Sequence, residues 1–231
     1  MMQTSNRVLD AVLKEFDLPH VEERIPRDVF YELGLKFPQQ YAIAARDVAS
    51  CVRRAEALGA GPFLHGTIPA PNWTEHGKLI KDCKLEVALG YAGDRQVEFL
   101  GPGHGTEHYT RALEDRDVAF HHVGIYQNGM PTIAPRLEAA GYPEVVRGGV
   151  SFGKALSFDF RYFDSRPDFG IYLEIQDFSY FNRELNIAPF LHLYAKLKKP
   201  REPRGHAPPP KPTYFQSLTT HTAKSHGHDH V

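Results

Sequence analysis

Residues 40–45 read QYAIAA and residues 122–126 read HVGIY; in both, bulky apolar side chains fall on one parity, Tyr41 and Ile43 in the first, Val123 and Ile125 in the second. Alternate side chains of a strand face opposite ways. Each segment therefore predicts a strand with one face against a core and a second face that is small or polar: Gln40, Ala42 and Ala44 in one, His122, Gly124 and Tyr126 in the other. The two are related by an offset of 82 residues, which also sets Asp47 opposite Gly129 and Glu56-Ala57-Leu58-Gly59 opposite Glu138-Ala139-Ala140-Gly141. A repeat of this length marks one supersecondary unit used twice.

The first unit reads as a strand over Gln40 to Ala45, a helix over Val48 to Leu58 closed by Gly59, and strands over Phe63 to Ile68, Lys84 to Leu89 and Gln96 to Leu100, the last two joined by a Gly93-Asp94 turn. The second reads as a strand over His121 to Tyr126, a helix from about Thr132 ended by Gly141, and strands over Val145 to Phe152, Ala155 to Phe163 and Gly170 to Gln176. Both are βαβββ. Ahead of them Val8, Leu9, Val12, Leu13 and Phe16 share one face of an amphipathic helix that Ser5 could cap. The predicted organisation is an N-terminal helical extension (1–36), a first module (37–101), a glycine-rich charged connector (102–118), a second module (119–178), a helical or mixed segment (179–199) and a Pro/His-rich tail (200–231). The tail cannot bury enough apolar area to offset its ordering entropy and is expected to be disordered.

With 231 residues and a net charge of −1, the chain has the bulk for a sizeable core and no general electrostatic drive toward nucleic acid or an anionic membrane, which favours a small-molecule partner. Its two cysteines, Cys51 and Cys83, are too few for a disulfide framework or a zinc ribbon and fit a reducing, cytoplasmic setting. No apolar run reaches membrane-spanning length, and the first residues lack the pattern of a signal peptide.

Each unit ends in an apolar strand holding one glutamate, Glu98 in QVEFL and Glu174 in IYLEI. A carboxylate midway along such a strand is costly to bury unless it is protonated, paired or bound to a cation. With Gln40 and His122 at matching positions of the opening strands, four strands present Gln, Glu, His and Glu. That is a metal-ligand set spread over two halves of one fold. Taken singly, each could be a solvent-facing strand residue. The tail histidines His221, His226, His228 and His230 could also take metal, but a cluster at a terminus has no supporting shell. Phe158, Phe160 and Tyr162 alternate with Asp159 and Arg161, as core or pocket-wall residues do.

This constellation resembles the vicinal oxygen chelate superfamily, which includes glyoxalase I, methylmalonyl-CoA epimerase, extradiol dioxygenases and bleomycin-resistance proteins. The resemblance spans roughly Pro38 to Phe178. It rests on Gln39-Gln40 through Asp47, VEFL, HHVGI, YLEI and the segment Gly59-Ala60-Gly61-Pro62-Phe63, and its ligand pattern is most similar to eukaryotic-type glyoxalase I. It implies an α+β half-barrel of two paired βαβββ modules, with Gln40, Glu98, His122 and Glu174 as ligands of one divalent metal: zinc, nickel, cobalt, manganese or iron(II). The positions with which glyoxalase I reads glutathione hold Ala44, Pro102 and Val118, so the resemblance carries the metal site and not that substrate.

The chemistry it implies is proton abstraction beside a metal-chelated carbonyl of a small oxygen-chelating molecule or thioester, as in a lyase, isomerase or epimerase, with Glu174 as base and Glu98 as its partner. Two other classes stay open. One is ring-cleaving dioxygenation on iron(II), for which His104, His108 and His121 are further histidines to consider; the other is a metal-free, resistance-type binding module. A homodimer, with the site inside one chain or shared across two, is compatible with the resemblance.

Overall fold

The strand Gln40–Ala45 (β1) is buried along its whole length, because it lies mid-sheet with side chains packed on both faces. The computed structural model describes residues 6–152, 156–180 and 183–184. The predicted segment 179–199 lies almost wholly outside the described residues, and the tail entirely so.

In chain order the elements are α1 (Arg7–Glu15), α2 (Val21–Arg24), α3 (Arg27–Glu32), β1, α4 (Val48–Ala57), β2 (Leu64–Pro69), β3 (Thr74–Glu75), β4 (Lys78–Leu79), β5 (Lys84–Ala92), β6 (Arg95–Leu100) and α5 (His108–Arg111). They continue with β7 (Val118–Tyr126), α6 (Met130–Ala139), β8 (Glu144–Phe152), β9 (Leu156–Phe163), α7 (Arg166–Phe169), β10 (Tyr172–Tyr180) and β11 (Arg183–Glu184). The strands form one curled mixed sheet in the order β2-β5-β6-β1-β7-β10-β9-β8-β3-β4, with β11 paired to β10. This is an α+β half-barrel of two βαβββ modules, as expected. β1 pairs parallel with β6, β7 pairs parallel with β10, and the modules join antiparallel through β1 and β7.

Alternation separates two cores. The helix-covered face holds Tyr41, Ile43, Val97, Phe99, Val123, Ile125, Leu173 and Ile175, packed against α1, α4 and α6. The N-terminal extension belongs to this core: Leu9, Val12 and Leu13 of α1 are buried, and Phe16 meets Phe99 edge-on at 5.4 Å. The cap of α1 is Asn6. Its side chain accepts from the Leu9 amide at 3.1 Å and donates to the Ala92 carbonyl at 2.7 Å, tying the helix to the β5–β6 turn.

The two long module helices start differently. At α4 the Asp47 carboxylate accepts from the Ser50 amide, the ordinary capping arrangement. The matching residue before α6 is Gly129, with φ of 102° and no side chain to offer. Asp177 of β10 takes over that role, accepting from the Gly129 and Met130 amides at 3.2 and 3.3 Å. The helix starts at Met130 rather than near Thr132, because Pro131 suits a first turn where its missing N–H costs nothing.

One excursion breaks the modular pattern. After β2 the chain leaves for the far edge of the sheet, where β3 pairs with β8 and folds back as β4, then returns to form β5 beside β2. On the way it places Trp73, fully buried, against Phe160 and Tyr162 on the open face of the sheet.

Candidate metal centre

The four central strands β6, β1, β7 and β10 carry the sequence-predicted residues on the face away from the long helices. Ala42 pairs with Glu98 on one side and His122 on the other, while Gly124 lies between Gln40 and Glu174. The intervening positions have to be small. A Cβ at Gly124 would lie 2.1 Å from Gln40 Oε1, so glycine there is what lets the Gln40 side chain lie across β7.

Glu98, His122 and Glu174 converge: each offers one ligand atom and these all lie within 4.8 Å of one another. His122 Nε2 is 3.1 Å from Glu174 Oε2 and 3.4 Å from Glu98 Oε2. It is aligned for a hydrogen bond with neither and has no other partner. The imidazole is fully buried, Glu174 is 3 % exposed and Glu98 is 9 % exposed. A buried ring nitrogen aimed between two buried carboxylate oxygens is a concentrated charge cluster that only mutual pairing or a shared cation can offset. Burial works against a charged imidazole, but the carboxylates of Glu174 and Glu98 outweigh it and raise His122 to about 9. Burial likewise raises the Glu98 carboxyl above the ordinary carboxylate range. A cation shared by the three groups would relieve both strains, and one imidazole nitrogen with carboxylate oxygens is a donor set that suits a divalent ion.

Gln40 sits beside this trio, joined to it through other amides. Its Oε1 accepts from Gln176 Nε2 at 2.7 Å and its Nε2 donates to Gln96 Oε1 at 2.7 Å. Gln176 Nε2 also donates to Glu174 Oε2, and Tyr126 Oη donates to Gln96 Oε1. Gln96 and Gln176 thus belong to the site although the sequence reading gave them no role. Their signal was available: they share parity with Glu98 and Glu174 on the same strands.

His121 is the second addition. Along β7, Ala42 pairs with His122 but Ile43 pairs with Phe120, so His121 is the extra residue of a β-bulge. The bulge turns both histidines to the open face, and their Nδ1 atoms lie 2.9 Å apart, one donating to the other. Simple alternation puts His121 on the opposite face. The sequence does mark the change: bulky apolar residues fall on even numbers up to Phe120 and on odd numbers from Val123. His108 packs against His121 with ring centroids 4.9 Å apart. Burial lowers both, His108 to about 3 and His121 well below the usual histidine value, which keeps both rings neutral. His104 is not in this cluster; its backbone forms an isolated bridge with Lys84.

Glu98, Glu174 and Gln40 face a cavity of about 320 Å³, within the range of small-molecule sites, with His122 buried behind the two carboxylates. Phe158, Phe160 and Tyr162 line one wall, as their alternation predicts, and β5 supplies Leu85, Val87 and Leu89 opposite. All four sequence-predicted residues reach this site within a single chain.

Ligand-type residues on the first and last strand of two βαβββ modules, joined as β6-β1-β7-β10, decide the architecture. The fold is an α+β half-barrel of two βαβββ modules, the architecture that the sequence resemblance implies. No family model and no curated protein matches the sequence. Similar solved structures include methylmalonyl-CoA epimerase from Streptomyces coelicolor (Q60A, in complex with 2-nitronate-propionyl-CoA), 13% identical over 62% of this chain and 96% of that one, with a TM-score of 0.44. Methylmalonyl-CoA epimerase from Mycobacterium tuberculosis is 14% identical over 60% of this chain and 85% of its own, with a TM-score of 0.38. A xylose isomerase-like TIM barrel/4-hydroxyphenylpyruvate dioxygenase fusion protein is 13% identical over 71% of this chain and 29% of its own, with a TM-score of 0.41.

Proposed function

We propose that Gln40, Glu98, His122 and Glu174 hold one divalent metal ion and that the chain is an enzyme moving a proton at a carbon next to a chelated carbonyl. The observation that carries this reading is the convergence of Glu98, His122 and Glu174, three buried groups whose ligand atoms all lie within 4.8 Å of one another. Bound there, a divalent ion would act as a Lewis acid on a carbonyl oxygen and so acidify the neighbouring C–H.

The protein groups supply the rest. Glu174 is the base: it faces the cavity, and its Oε2 accepts from Gln176, which fixes the orientation of the carboxylate. Glu98 reaches the same cavity from the other module and is placed to exchange a proton on the opposing face. Two carboxylates flanking one carbon can take a proton from one face and return it on the other, the requirement of an isomerase or epimerase. His121 holds the His122 ring through the Nδ1 contact, so that Nε2 remains the coordinating atom. The apolar walls exclude water, which strengthens each of these interactions.

The test is metal content by elemental mass spectrometry after reconstitution of the full chain, beside single variants. About one equivalent of divalent metal, lost in His122→Ala and retained in a variant with the tail histidines replaced, is the expected result. Glu174→Gln should then abolish turnover of enolisable carbonyl compounds with the melting temperature kept. A chain that takes up no metal at the four residues refutes the reading and leaves a metal-free binding module.

A further inference from the structure

The cavity beside the four residues has a composition of its own. Among the described residues, its charged lining consists of Glu98 and Glu174; no lysine, arginine or histidine lines it. One wall is aliphatic, from Leu85, Val87 and Leu89 of β5, and the facing wall is aromatic. There the Phe158 and Phe178 rings stack at 4.4 Å and Phe160 lies 5.3 Å from Phe158. The polar groups at the floor are neutral amides and phenols, Gln96, Gln176 and Tyr126, already engaged with one another or with Gln40 and Glu174.

We infer that the ligand of this cavity is an uncharged carbonyl compound bearing an aromatic or branched apolar group next to its chelating oxygens, and not a conjugate of an anionic carrier. The inference rests on the metal-site reading for the chelating end of the ligand and on the cavity alone for the rest. Two carboxylates balance a divalent cation, so the loaded site has no net positive charge to spend on a carrier's carboxylate or phosphate. An anion placed among Leu85, Val87, Phe158 and Phe160 would be stripped of water with no counter-charge, the costly case of an unpaired buried ion. The volume agrees. An engineered dry cavity of about 150 Å³ accommodates benzene, so about 320 Å³ takes one ring and a chelating head. A ring there can stack on Phe158 or meet Phe160 edge-on, arrangements that add to the gain from area burial.

Two comparisons test this on the full chain. With metal-free protein, 2-naphthol should bind at least tenfold more tightly than naphthalene-2-sulfonate, since the two share a ring system and differ in charge. Equal affinity, or preference for the sulfonate, overturns the inference. Phe158→Ala should reduce naphthol affinity about tenfold. If that variant melts at a lower temperature, Phe178→Leu, which keeps an apolar wall and removes the stacked ring, is read in its place. With the zinc-loaded protein, benzohydroxamate should bind at least tenfold more tightly than acetohydroxamate, and S-hexylglutathione should not compete with it. Zinc binding without a preference for the ring overturns the inference and leaves the metal site standing. Failure of zinc to bind removes the metal site, and the naphthol comparison still decides the character of the cavity.

Discussion

Gly124 and His121 govern the candidate centre without being predicted ligands. At Gly124 the missing side chain is the space that Gln40 Oε1 occupies. Gly124→Ala should leave the sheet intact, displace the Gln40 amide and weaken metal binding at least tenfold by isothermal titration. Unchanged affinity would argue that Gln40 is not a ligand. His121 is the partner of His122 Nδ1, both rings being buried. Replacing it with phenylalanine keeps most of the ring packing against His108 and Tyr172 and removes the hydrogen bond. Loss of such a supporting contact typically costs 10–100-fold in metal affinity, and His121→Phe should fall in that range with its melting temperature little changed. Gln40, Glu98, His122 and Glu174 were legible because a polar side chain on an otherwise apolar strand has to be accounted for. Gln96, Gln176 and His121 were not assigned, since an amide or a second histidine on a strand has ordinary explanations until its neighbours across the sheet are known.

Among the elements, α4 and α6 show how a repeat keeps a function while changing the residue that performs it. Asp47 caps α4 from its own N-terminus, whereas α6 begins at a glycine and receives its carboxylate from Asp177 on β10. An anion at a helix N-terminus satisfies free amides and complements the helix dipole. Asp177→Ala should therefore destabilise the protein by about 0.5–2 kcal/mol in urea denaturation, although Asp177 lies far from α6 in sequence. Both module helices could be placed to within a few residues from capping and glycine signals. The bulge in β7 could have been seen as a switch of apolar parity at His121–His122, but a one-residue register shift becomes firm only against the partner strand.

For the molecule as a whole, the two cysteines report on its two cores. Cys51 lies on the buried face of α4 in the helix-covered core and Cys83 lies with Trp73 and Leu85 in the other. Burial raises each thiol to about 11, so at pH 8 neither should react with Ellman's reagent in the native protein, and both should react after unfolding. Because each thiol ionises at lower pH in the unfolded chain than in the folded one, both contribute stability that is lost as pH rises from about 9 toward 11. A melting temperature that falls over this window in the native chain, and less in the Cys51→Ala and Cys83→Ala variants, is the expected outcome. Labelling of one thiol at pH 8 in the native state would instead locate a core that opens on its own.

At the same scale, the modular plan was legible because strand periodicity and the 82-residue offset are both written along the chain. The route of residues 70–83 was not. Its strands are two residues each and the partner of β3, β8, lies in the other module, so no local pattern announces the pairing. Nor did the connector reveal that Tyr109 of α5 would reach the cavity and share a hydrogen bond with Tyr162. That same route joins the two ends of a bent sheet as a string joins the ends of a bow. Its length and the seating of Trp73 set how far the bow is drawn. Shortening or lengthening it would change the ligand girth the protein admits while every residue at the floor of the cavity stayed the same, a route by which close relatives could diverge in diet without altering their chemistry.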